Sequence, residues 1–346
     1  MRSVHEHPAW FGAVMGTAAT SIVLFVQSEV WGIPWLEWAA VVLLLLASIL
    51  AVALAPRYAR RLSRRSELVV ELGDPGHGAM LATLPAGLLV LAVAWARVGP
   101  VLVPTSVAVW IDIVIASIGV ILALTVGIAW ANAIASGTHD LASVNGGWLI
   151  PPVMNLLVPL AIVPVMLRYP DQAPWLMVVA FAFYGIGAVL FLAVFTLVIA
   201  RLALRPRQMA QMAPSLWIPL APAGILGFAL LRLLQAGQEL GLSGFSSTTA
   251  GVIVAAMGIG LGLWWTLFAG VEVARLRRAG GIPFHPGWWG FVFPIAAMTL
   301  SIIGVGSVME SGPVLIAGVL ATVTLLLVWL LVAARTLDLV RRARAR

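Results

Sequence analysis

His7-Pro8-Ala9-Trp10-Phe11-Gly12 and, far down the chain, His285-Pro286-Gly287-Trp288-Trp289-Gly290 open two long apolar segments with nearly the same six residues. Looser copies begin at Pro75 (Asp74-Pro75-Gly76-His77), at Gly146 (Asn145-Gly146-Gly147-Trp148) and at Pro214 (Ala213-Pro214-Ser215-Leu216-Trp217). Counted from Pro8, the openings step by 67, 71, 68 and 72 residues. Each unit has room for two membrane-crossing helices. Proline in a first helical turn and tryptophan at a membrane interface are ordinary helix-start signals. Five of them in register give the helices they open one shared role. The repeat predicts an all-α integral membrane fold: ten transmembrane helices as five helical hairpins in a pseudo-five-fold ring.

Composition sets the class. Hydrophobic residues are 62% of the chain and charged residues 10%, against about 45–50% and 25% in soluble domains. Apolar runs of about 18–22 residues recur, the length that crosses a ~30 Å hydrocarbon core as helix. Ten spans are expected, near 9–27, 35–55, 78–97, 107–131, 148–167, 175–200, 214–233, 247–270, 288–308 and 313–333. Residues 1–346 then form a single transmembrane domain. The first span is too long, and too poorly flanked, to be the apolar core of a cleaved leader. The absence of cysteine excludes disulfides, thiolate metal sites and cysteine nucleophiles.

All 20 basic residues are arginine. Seventeen fall on one side of the expected spans: Arg2, the run Arg57 to Arg65, then Arg201 to Arg207, Arg275 to Arg278, and Arg335 to Arg346. Only Arg97, Arg168 and Arg232 fall on the other. The positive-inside rule puts both termini in the cytoplasm, as an even number of spans requires, in a multi-pass protein of the plasma (inner) membrane. The high pI reflects this loop placement. No basic patch interleaved with polar residues suggests a nucleic-acid partner.

Eight residues beyond the opening position stand Gly16, Pro222 and Pro294, and ten beyond Pro75 stands Pro85. The fifth span carries Pro151, Pro152, Pro159 and Pro164. Eight helical residues reach about 12 Å, near mid-membrane. Polar backbone freed by proline is tolerated there only inside protein or along a water-filled path. The odd spans are therefore expected to line a central pore through Gly16, Pro85, Pro152, Pro159, Pro222 and Pro294. The neighbouring polar side chains Thr17, Thr83 and Asn155 join them as candidate pore-lining residues. The even spans, Val/Leu/Ala runs such as 39–55, face lipid.

No catalytic, metal or cofactor motif interrupts the apolar segments. The thirteen carboxylates fall in loops or at span ends, Asp112 deepest, and the histidines lie at or beyond the cytoplasmic ends. A membrane-embedded enzyme or receptor is the weaker reading. Passive or weakly coupled movement of a small anionic solute fits the missing intramembrane relay. Arg97, Arg168 and Arg232 end the third, fifth and seventh spans. They read either as interfacial anchors or as a positive outer vestibule that concentrates anions.

Pro8-Ala9-Trp10-Phe11-Gly12-Ala13-Val14-Met15-Gly16-Thr17 resembles the first-helix signature of the tellurite-resistance/dicarboxylate transporter family. Gly287-Trp288-Trp289-Gly290-Phe291-Val292-Phe293-Pro294 resembles its ninth-helix signature. That family includes bacterial tellurite-resistance proteins, fungal malate permeases and sulfite pumps, and plant guard-cell slow anion channels. The third helix departs from the pattern, with Asp74-Pro75 where the family often has His-Pro. The resemblance implies a pore lined by odd helices, a homotrimer in the bilayer, and an aromatic gate just before the ninth-helix proline, which is Phe293. It implies passage of small anions: C4-dicarboxylates, sulfite or inorganic anions. A proton-coupled dicarboxylate symporter on the same fold is the alternative, with His77 and His285 as titrating groups.

Overall fold

The computed structural model describes residues 7–137 and 139–344. Arg2, His5, Glu6 and Arg346 lie outside them, as do the side chains of Glu67, His77 and Arg344. The described residues form twelve α-helices and no strand. These are α1 (Phe11–Trp31), α2 (Pro34–Ser63), α3 (Arg65–Gly73), α4 (Pro75–Leu81), α5 (Thr83–Val98) and α6 (Thr105–Ser136). Then follow α7 (Ile150–Arg168), α8 (Ala173–Leu204), α9 (Leu220–Glu239), α10 (Thr249–Arg278), α11 (Val292–Val308) and α12 (Gly312–Arg344). Ten of the helical segments are long and apolar enough to cross a membrane. Each coincides with an expected span. The even helices run further than expected at the arginine-rich end, so Arg57, Arg60 and Arg61 sit on α2, and Arg275 to Arg278 on α10.

The helices form two concentric rings. The odd spans close the inner one: α1 packs on α5, α5 on α7, α7 on α9, α9 on α11, and α11 back on α1. Each even helix packs first on the odd helix before it, then leans on the odd helix that follows: α2 on α5, α6 on α7, α8 on α9, α10 on α11, and α12 on α1. Burial follows this order. In their most apolar stretches the odd spans bury 72–83% of their residues and the even spans only 17–39%.

Lipid is as apolar as leucine, so side-chain packing and small residues must hold such helices together. The pair α9–α10 shows how. Gly251, Ala255, Gly258 and Gly262 recur on one face of α10, where Ala255 meets Gly227 and Gly258 meets the backbone of Ala223. A methyl group at Gly258 would fall inside van der Waals contact with the Ala223 carbonyl. Within the inner ring Gly224 also lies close to the backbone of Ala297, which lets α9 approach α11.

The odd spans begin irregularly, and the form differs from the mid-membrane kink expected. Four start as 3-10 turns: Pro8–Trp10, Gly146–Leu149, Ala210–Trp217 and Pro286–Phe291. The third instead starts as α4, with a turn at Ala82 before α5. Pro85, Pro152, Pro222 and Pro294 are each the third residue of the α-helix that follows. There an N–H has no intrahelical acceptor, so proline forfeits no α-helical bond. These prolines mark where each α-helix begins; they do not bend a continuous rod. Pro159 and Pro164 are the interior prolines of α7, and they leave the carbonyls of Asn155 and Leu160 without their usual donors.

Gly258→Leu is expected to destabilise the protein by about 1–3 kcal/mol through overpacking. Gly260→Leu, whose Cβ would meet nothing, should be near neutral. Thermal unfolding of both variants in detergent checks the pair.

Candidate functional site

The repeated motif is a set of N-caps. His7 Nδ1 accepts the Ala9 N–H at 3.1 Å, and His285 Nδ1 accepts the Gly287 N–H at 3.1 Å. Asp74 Oδ1 accepts from Gly76 N at 2.8 Å, and Asn145 Oδ1 from Gly147 N at 2.8 Å. One acceptor two residues ahead of an orphan donor thus opens four of the five odd spans. Asp74 serves where the family pattern has histidine. The seventh span is the exception, with Met209 at the cap position and no side-chain bond. The first, second and third spans are then tied together at the Pro8 carbonyl. It accepts from the Tyr58 hydroxyl and from the Thr83 hydroxyl at 3.0 Å.

Inside the inner ring lie two cavities, one above the other. The larger, about 240 Å³, opens toward the end opposite the arginine-rich one, and all five odd spans contribute to its wall. Ala19 and Ile22, Val90, Leu157 and Leu160, Ile225, and Leu300 make that wall apolar, with Glu29, Arg97, Arg232, Gln235 and Ser307 toward the helix ends. The smaller, about 80 Å³, lies toward the arginine-rich end. Gly12 and Met15, Met80 and Thr83, Ile150 and Val153, Ile218 and Ala221, and Trp289 and Pro294 surround it, with His285 and Gln211. Among the described residues, Phe293 is the one the two walls share. It is 5% exposed and occupies the second position of α11, immediately before Pro294.

The charged groups of the larger cavity are not equivalent. Arg97 pairs with Glu29 at 2.5 Å, and its guanidinium lies 5.7 Å from the Phe25 ring centre. Arg232 donates to Gln235 Oε1 at 2.8 Å and has no carboxylate ion pair among the described residues. Arg168 stands elsewhere: it is exposed, 5.4 Å over the Tyr169 ring, and no part of the cavity wall. Glu29 had no sequence signal beyond its place at the end of the first span.

The candidate pore-lining residues divide similarly. Thr83 and Pro294 line the smaller cavity, although the Thr83 hydroxyl is engaged by the carbonyls of Pro8 and Met80. Gly16 is pressed between α1 and α11, against Trp289 and Val292. The Thr17 hydroxyl accepts from the Trp329 indole of the tenth span at 3.1 Å, so it faces the outer ring. Asn155 Nδ2 donates to the Pro151 carbonyl at 2.9 Å. Asn155, Pro85, Pro152, Pro159 and Pro222 are buried in helix packing and belong to neither wall. The wall of the larger cavity is made instead mostly of Val, Leu, Ile and Ala, which no motif distinguishes from core.

Along this axis the Arg232 guanidinium, with no direct carboxylate pair among the described residues, is followed by an apolar barrel and then by Phe293. Apolar constrictions of this kind hold ions back by dewetting.

A protein-family model described as SLAC1, voltage-dependent anion channel, matches residues 5–337, and the chain belongs to that family. The resemblance carried by the first- and ninth-helix motifs is thereby borne out. The chain is similar to the sulfite efflux pump SSU1 of Trichophyton rubrum, 26% identical over 355 residues, 95% of this chain and 89% of the relative. An uncharacterized transporter of Methanocaldococcus jannaschii is 28% identical over 297 residues, 85% of this chain and 82% of its own length.

The His285 cap makes a pH prediction. Its Nδ1 accepts from backbone and its Nε2 lies 2.8 Å from the Gln211 carbonyl, which assigns the neutral tautomer with hydrogen on Nε2. Burial pushes its pKa below the ordinary 6.5, and the Gln211 carbonyl opposes that shift. Above 6.5 the folded and unfolded imidazoles are both neutral and the cap is intact. Below it the unfolded chain takes up a proton that the folded site resists, so stability falls with pH. His285→Asn keeps a capping acceptor without the titration. Its thermal midpoint should fall less than the wild type's on going from about pH 7.5 to about 5.5.

Proposed function

We propose that this family member carries small anions along the axis of its inner ring, with the Phe293 side chain as the plug. The observation that carries this reading is that, among the described residues, Phe293 alone belongs to both cavity walls. Turning one ring aside would join the two spaces. On this reading the arginine-rich end faces the cytoplasm of a plasma (inner) membrane, and the protein works as a homotrimer, as the family resemblance implies. Transport, not enzymatic chemistry, is the activity.

The selectivity follows from the charges. Arg232 draws anions to the outer mouth, while Glu29 offsets Arg97. The apolar wall holds no site deep enough to trap an ion, so binding is weak and release is fast. Sulfite is the first candidate substrate, because it is what the fungal relatives are named for; C4-dicarboxylates and inorganic anions follow. The outer cavity of about 240 Å³ has room for each.

Proton-coupled dicarboxylate symport is the second reading, favoured by His285 in the wall of the smaller cavity. A pH gradient that drives uphill malate uptake into proteoliposomes would select it over passive flux.

Phe293→Ala should raise anion flux about tenfold or more in reconstituted vesicles, measured with sulfite, chloride, nitrate and malate in parallel. An unchanged flux for all four would remove Phe293 as the plug. Arg232→Gln should lower flux severalfold and flatten its dependence on ionic strength, whereas Arg168→Gln should leave both as in wild type.

A further inference from the structure

A third cavity, of about 200 Å³, lies outside the inner ring at the arginine-rich end. The ends of α8 and α10, with the segment that links α8 to α9, enclose it. Arg201, Arg207 and Gln208 supply polar groups over an apolar floor that includes Leu202, Met209 and Phe268. Arg201 is 6% exposed. Its Nη1 donates to the Pro206 carbonyl at 2.7 Å, yet its buried Nε has no partner among the described residues. The buried Oε1 of Gln208 has none either.

Nearby charges do not answer these groups. Glu272 lines the same cavity, but Arg275 holds its Oε2 through two bonds of 2.9 and 3.0 Å. Arg207 reaches its Oε1 only at 3.7 Å and is 69% exposed. Buried polar groups are normally satisfied, and an unsatisfied guanidinium N–H calls for an anionic oxygen. The unsatisfied amide oxygen calls for a donor beside that anion. A phosphate carrying a free hydroxyl on its ester group supplies both.

We propose that this cavity binds a phosphate group, held by Arg201 Nε and Arg207, with Gln208 accepting from a neighbouring hydroxyl. Two sources share that chemistry: the headgroup of an anionic lipid such as phosphatidylglycerol, or soluble phosphate. α8 and α10 belong to the outer ring, so a lipid can reach the site from the side. The wall also holds Leu216, whose carbonyl accepts from the Trp265 indole at 2.6 Å. Leu216 lies two residues before Ile218 of the smaller central cavity, so an occupant braces the opening of the seventh span.

The test uses the full chain, delipidated in detergent, with phosphatidylglycerol, phosphatidylcholine or sodium phosphate added. Retained ligand is read by native mass spectrometry and stabilisation by thermal unfolding. Wild type should retain phosphatidylglycerol over phosphatidylcholine and unfold several degrees higher with it. Arg201→Lys keeps a cation near the Pro206 carbonyl but lacks Nε, and retention should drop about tenfold. Arg207→Gln, at an exposed position, should weaken retention severalfold with unliganded stability intact, which separates binding from folding. If sodium phosphate displaces the lipid, or stabilises alone with the same Arg201 dependence, the occupant is soluble phosphate and the site stands. Retention of phosphatidylglycerol by both variants at the wild-type level overturns the proposal, as does the absence of any preference among the three probes.

Discussion

A peptide group in hydrocarbon has no water to bond, and the backbone of this chain answers that constraint. Regular helix satisfies most of the backbone internally. The exceptions are the helix starts, and here five of them converge on one axis. Side-chain acceptors close four of those starts: His7, Asp74, Asn145 and His285. The carbonyl left over at Pro8 is taken by Tyr58 and Thr83 from two neighbouring spans. Satisfying the backbone at one start thereby fixes the packing of three helices.

Once the starts are fixed, the inner ring can close only if its helices come near one another. Gly224 against Ala297 and Gly16 against Trp289 and Val292 give that approach between α9, α11 and α1. The outer helices then fill the grooves of the inner ring, each between two odd neighbours, and turn their remaining faces outward. Charge is left at the ends. At one end Arg97 and Glu29 neutralise each other. At the other, Arg61 meets the buried Glu71 as a bidentate pair, which ties α2 to α3.

The axis itself carries little polarity. Its wall is mostly aliphatic between Phe293 and the rim, and the Thr83 hydroxyl beside the smaller cavity is already bonded to backbone. On the proposed reading, such a path would discriminate by dehydration and by the field at its mouth more than by fixed ligands. That accords with a family of anion channels and with a relative named as an efflux pump.

The number of spans, their pairing into hairpins and the division into odd and even roles were legible in the sequence, because bilayer thickness and the five-fold repeat leave few alternatives. Phe293 was singled out only through a family resemblance; its place in the walls of both cavities came from the tertiary structure. Pro85, Pro152, Pro222 and Pro294 stand at the irregular starts of their helices and not in the mid-membrane kinks expected, since sequence cannot tell an irregular opening from a bend; Pro159 and Pro164 do lie inside α7. The directions of Thr17 and Asn155 depended on helix rotation, and the pairing of Glu29 with Arg97 on two helix ends 68 residues apart. Sequence determined that this chain crosses a membrane ten times and repeats itself, because transfer from water to lipid is set residue by residue. Which side chains face the axis was decided only by packing, because a rotation of one helix by a single residue, about 100°, exchanges wall for core without changing composition.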